Sequence, residues 1–81
     1  MSREAELREI LARQTRLDVD GIGLDDDLVR ELGVDSLAAL RVLAATEKRF
    51  RLRFPDERLG DLRTLRDVLE LIEEREKETA S

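Results

Sequence analysis

The stretch Glu31-Leu32-Gly33-Val34-Asp35-Ser36-Leu37 closes one segment and opens another. Gly33 is a helix stop, Asp and Ser are helix starters, and the chain beyond is rich in Ala and Leu. A helix is therefore predicted from Ser36 to about Arg51, with the Ser36 hydroxyl at its exposed start. The first backbone N–H groups of a helix lack intrahelical partners, and the macrodipole makes that end partly positive. A covalently attached phosphate on Ser36 would be well received there. Ser is also among the best N-cap residues, so a bare helix cap is the competing reading of the same hydroxyl.

Working outward, residues 3–16 form a first predicted helix with Leu7, Ile10, Leu11 and Gln14 at helical spacing. Leu17 to Asp35 make a long connection, with Val19, Ile22, Leu24, Leu28 and Leu32 as apolar anchors that pin it to the core. Within it, Asp25 to Asp27, then Leu28 to Leu32, then Gly33 read as a short helical turn with an acidic start. Phe54-Pro55 forces an extended step. Pro55 to Gly60 reads as a short third helix. Thr64-Leu65-Arg66-Asp67 resembles a capping box that opens a last helix striped by Leu65, Val68, Leu69 and Ile72. From about residue 74 to 81 a charged, frayed tail is expected. The fold class is all-α: a small four-helix bundle, three principal helices and a short third one, with a long loop between the first two. Its predicted core is Leu7, Ile10, Leu11, Leu28, Leu43, Phe50, Leu65, Val68 and Ile72.

Composition restricts the chemistry. At 81 residues this is one small domain, and its 41% apolar and 43% charged content suits a compact helical protein. With no Cys there is no thiolate nucleophile, disulfide or sulfur ligand, and with no His the commonest general base and metal ligand is missing. Ser–His and Cys–His catalysis are excluded. A net charge of −5 without a basic stripe argues against nucleic acid. Neither a leader nor a membrane span is expected, which points to the cytoplasm. The charge is uneven: Asp18, Asp20, Asp25, Asp26, Asp27, Glu31 and Asp35 face one base, Arg30, before the second helix, whereas Arg41, Lys48, Arg49 and Arg51 outnumber Glu47 on it.

At about 100° per residue the second helix shows two apolar arcs. Val42, Thr46, Ala39, Phe50 and Leu43 should face the core. Leu37, Leu40 and Ala44 cluster elsewhere, accompanied by Arg41, Lys48 and Arg51. Either the long loop covers Leu37 and Leu40, or this arc is a docking surface beside Ser36, or both hold in part, with Leu40 partly covered and Leu37 exposed.

The motif from Glu31 to Leu37 resembles the attachment motif of acyl carrier proteins. The similarity extends to Phe54-Pro55-Asp56-Glu57 and to the Thr64-to-Ile72 helix, in order and spacing over nearly the whole chain. The resemblance implies a right-handed four-helix bundle, with residues 1–81 as a single free-standing, monomeric carrier domain. It implies that a separate phosphopantetheinyl transferase attaches 4′-phosphopantetheine from coenzyme A to Ser36. The terminal thiol of that arm would hold acyl groups as thioesters and present them to acyl-activating enzymes, acyl-transferring enzymes and synthases. It implies no enzyme activity and no metal, and it accounts for the missing Cys, since the cofactor supplies the sulfur. Asp35 would orient the attachment site; Leu37, Leu40 and Arg41, with Ala44 and Lys48, would meet partner enzymes.

One departure bears on the pathway. Carriers of fatty acid biosynthesis are typically acidic along this helix, whereas Ala38, Arg41 and Lys48 stand here. Complementary charge selects partners, so a specialised lipid or polyketide pathway is expected. Val34-Asp35-Ser36-Leu37 resembles acyl more than peptidyl carriers, and aminoacyl loading stays open. The competing class is an unmodified helical adaptor that binds a protein through Leu37, Leu40 and Arg41. Calcium is rejected: counted from Asp18, Ile22 and Val29 fall where an EF-hand needs oxygen ligands.

Overall fold

A computed structural model describes residues 2–80, with side chains as far as Glu78. Among the described residues all regular structure is helical: α1 at Arg3–Gln14, α2 at Ser36–Phe50 and α3 at Leu65–Ala80, with 3-10 turns at Val19–Gly21 and Asp56–Asp61. The expected short third helix, over Pro55 to Gly60, is present as the 3-10 helix Asp56–Asp61.

Ser2 caps α1 by accepting the Ala5 N–H at 3.1 Å, and Leu7, Ile10 and Leu11 bury its inner stripe. The helix ends at Gln14, two residues short of the expected end. Thr15 is extended there, with φ −131° and ψ 177°, and its hydroxyl turns back to donate to Leu11 O at 2.7 Å.

The long connection is held at both ends of its path. Arg8 Nη1 donates to the carbonyls of Val19 and Ile22, each at 2.7 Å. The sequence suggests only a surface pair of Arg8 with Glu4, which is also present at 3.1 Å. Further on, Leu28 N–H donates to Arg63 O at 2.9 Å and Arg66 N–H to Leu24 O at 3.0 Å. Arg66 also forks onto both Asp25 oxygens, at 2.7 and 3.2 Å. Ile22 is buried, and Leu17, Val19, Leu24, Leu28 and Leu32 are half-buried against the core.

On α2, Val42 and Thr46 face inward. Thr46 is wholly buried, and its hydroxyl is satisfied by donating to Val42 O at 2.7 Å. Three expected core residues sit at the rim instead: Leu28, Leu43 and Phe50 are half-buried. Leu28 lies on a turn of the loop, Leu43 borders an open groove, and Phe50 is the last residue of its helix. Phe54, expected as part of a connector, is buried, and its N–H donates to Glu47 Oε2 at 2.7 Å.

The predicted capping box opens α3: Asp67 N–H donates to Thr64 Oγ1 and Thr64 N–H to Asp67 Oδ2, both at 3.1 Å. Leu65, Val68, Leu71 and Ile72 are buried beneath it. The charged run expected to fray continues the helix to Ala80; Ser81 lies outside the described residues. Side-chain pairs support this extension: Lys77 with Glu73 at 4.0 Å, Arg75 with Glu78 at 2.7 Å, Arg58 with Glu74 at 3.5 Å, and Arg3 with Glu76. Among the described residues no helix is long and apolar enough to cross a membrane.

Leu11 is fully buried and Leu37 is 58% exposed, which separates their expected costs. Leu11→Ala should lose about 2–5 kcal/mol, and Leu37→Ala no more than about 0.5 kcal/mol. Urea denaturation of both variants checks this; equal losses would contradict the packing described.

Candidate functional site

The approach to Ser36 is built by backbone geometry. Gly33 sits at φ +71°, a conformation that a side chain resists. Its N–H closes the preceding turn on Val29 O at 3.2 Å, and Val34 N–H returns to Leu28 O at 2.9 Å. Val34 is buried, so the chain is anchored immediately before the helix begins.

Asp35 then caps α2. Its backbone is extended, with φ −77° and ψ 167°, and its Oδ1 accepts the Ala38 N–H at 2.8 Å. The cap reading of Ser36 is thereby corrected. Ser36 is the first residue inside the helix, where its hydroxyl is exposed and makes no hydrogen bond among the described residues.

The preceding acidic turn is largely occupied with backbone. Asp27 Oδ1 accepts the N–H groups of Val29 and Arg30 at 3.0 and 2.9 Å, and Asp26 accepts that of Gly23 at 2.8 Å. The Arg30 N–H, foremost, holds Asp27 below the usual carboxylate range, and the Arg66 guanidinium does so for Asp25. Both contributions are present above the ordinary carboxylate pKa and fade as the pH falls through the lowered values. Among the described residues no three acids converge as a metal site.

Beside Ser36 lies an open groove of about 360 Å³, floored by Ala39, Leu40, Leu43, Leu59 and Leu62 and edged by Arg30 and Arg63. Neither arginine is singled out as a site residue in the sequence reading, because nothing local marks it as a neighbour of Ser36. Ala39, Leu43 and Leu62 also border an inner seam of about 30 Å³. The outer face of α2 is open: Leu37 and Leu40 are 58% and 54% exposed, and Arg41, Ala44 and Lys48 are exposed with them. Cover of both Leu37 and Leu40 by the loop is thus overturned: the loop is drawn toward α1 and α3, and only Leu40 shares a groove with its residues Asp27, Val29 and Arg30.

Residues 5–72 match the family described as the phosphopantetheine attachment site. The chain belongs to the acyl carrier protein family. A Streptomyces coelicolor acyl carrier protein is 44% identical over 64 residues, covering 78% of this chain and 70% of that protein. One from Rhodococcus erythropolis is 33% identical over 76 residues, covering 94% and 84%. One from Phytoplasma mali is 33% identical over 69 residues, covering 85% and 82%.

The protein is therefore a carrier rather than an enzyme, and its domain bears covalently attached 4′-phosphopantetheine. The residues present fit that group: an unengaged hydroxyl, the positive end of a helix and an apolar groove meet at one place. When bound, it supplies a terminal thiol for acyl groups. Around that hydroxyl the chain supplies a helix start held in place by Val34 and Asp35, and an adjoining apolar surface.

Removing the cap and removing the hydroxyl should differ. Asp35→Ala is expected to cost about 1 kcal/mol, whereas Ser36→Ala should stay within about 0.5 kcal/mol of the parent. Thermal and urea unfolding read both, and a larger loss for Ser36→Ala would return the capping role to Ser36.

Proposed function

We propose that Ser36 is the residue to which the phosphopantetheine arm is attached by a separate transferase, and that Asp35 orients it. The observation that carries this reading is the exposed Ser36 hydroxyl, left free because the neighbouring carboxylate already caps the helix. Phosphate oxygens on that hydroxyl would meet the partly positive start of α2. The acyl-loaded protein is then handed between acyl-activating enzymes and synthases.

Leu37, Leu40, Arg41, Ala44 and Lys48 form the face that partner enzymes touch in this proposal. They share one exposed side of α2 and begin one residue from Ser36. The basic character of this face supports a specialised lipid or polyketide pathway over general fatty-acid synthesis, because partner choice follows charge complementarity.

Coexpression with a broad-specificity phosphopantetheinyl transferase, followed by intact mass measurement, tests the attachment residue. The parent protein should gain one phosphopantetheine increment and Ser36→Ala none. An adduct that persists on Ser36→Ala, or none on the parent, refutes the assignment.

A further inference from the structure

Arg51 follows the last residue of α2 with φ 56° and ψ 49°, and it is the one non-glycine among the described residues with positive φ. Leu52 N–H closes back on Glu47 O at 3.1 Å, so the helix ends in the left-handed pattern that glycine ordinarily fills. Any residue with a Cβ is strained there. A long cation held at such a position suggests that the side chain matters more than the ease of the turn.

The surroundings indicate what that cation meets. Arg49 is paired with Glu6 at 3.2 Å, Arg53 with Glu47 at 3.9 Å and Arg13 with Glu9 at 3.0 Å. Arg41, Lys48 and Arg51 have no ion-pair partner among the described residues. All three are exposed; Arg41 and Lys48 lie at helical spacing with Leu37, Leu40 and Ala44, and Arg51 borders a groove with Ala44 and Lys48. Lys48 and Arg51 together border two shallow grooves, of about 480 and 510 Å³, flanking the end of the helix. Arg41 is thus interleaved with Leu37, Leu40 and Ala44 along the strip, and Lys48 and Arg51 make its far end cationic.

Its near end begins at the exposed acid Asp35, the residue before the helix. A uniformly anionic surface, whether a lipid headgroup layer or a nucleic acid, would be repelled there while attracted at the far end. A folded protein can present a localised acidic patch at one distance only. We propose that Arg51, with Lys48 one turn before it, is a distal anchor for partner enzymes that carry an acidic patch about 22 Å, by helical rise, from the mouth receiving the arm on Ser36, with Arg41 as a nearer contact. This rests on the carrier reading of Ser36 and the outer face of α2, and adds the partner's charge and a second contact point.

Arg51→Gly tests it cleanly, because glycine relieves the backbone and removes the charge. The parent, Arg51→Gly and Arg51→Lys are first loaded to completion with the arm, as read by intact mass. Transfer is then measured with two carrier-dependent acyltransferases, one with an acidic and one with a basic rim around its arm-entry channel. Expected are unchanged or higher Tm for Arg51→Gly and a parent preference for the acidic rim. Arg51→Gly should lower kcat/KM on that enzyme about fivefold at low salt, through KM, with a flatter salt dependence. Arg51→Lys should recover most of the loss. Preference for the basic rim, equal transfer by Arg51→Gly, or sedimentation of the protein with phosphatidylserine vesicles overturns the inference. Failure of all three proteins to load overturns the Ser36 reading itself, and is seen before any transfer is measured.

Discussion

The hydrogen bond from Ala38 N–H to the Asp35 carboxylate is the contact on which the site depends. A helix start must satisfy its orphan donors, and the two residues best suited to do so stand side by side at this one. Because Asp35 takes the capping role, Ser36 enters the helix with its hydroxyl outward and unengaged. Had Ser36 capped, its oxygen would be occupied by the backbone and any covalent group on it would compete with the helix.

The rest of the fold can be understood as fixing that start in space. Val34 is buried just ahead of it, and Gly33 makes the turn that lets Val34 reach the core. Upstream, Arg8 gathers two loop carbonyls from α1, while the Leu28 and Arg66 N–H groups tie the same loop to the entry of α3. These ties draw the loop away from the outer side of α2. Leu37 and Leu40 remain exposed as a consequence, and the groove beside Ser36 stays open. A stable small core and an uncovered face are therefore products of one arrangement.

Much of this was legible in the residues. The helical stripes of α1 and α3, the Thr64–Asp67 box, the glycine stop at Gly33 and the two-faced character of α2 all follow from local pattern. What was not legible required either backbone angles or distant neighbours. Asp and Ser are equally good caps, and only the extended backbone at Asp35 decides between them. Arg8 has the spacing of an ordinary surface pair with Glu4, and nothing nearby announces that loop carbonyls will arrive. Phe54 precedes a proline and reads as connector until its burial is seen. The charged end of α3 lacks an apolar stripe, and its helix is supported by pairs to α1 and to the Asp56–Asp61 turn that no local pattern contains.

The division of labour between Asp35 and Ser36 is tested most directly by comparing the unfolding free energies of the apo and fully phosphopantetheinylated protein. If the carboxylate caps and the hydroxyl only tethers, attachment leaves the cap intact and places phosphate at the positive end of α2. The loaded form should then equal the apo form in stability or exceed it by up to about 1 kcal/mol. A loaded form less stable by about 1 kcal/mol or more would mean that the attached oxygen had been holding the helix, and would contradict the account.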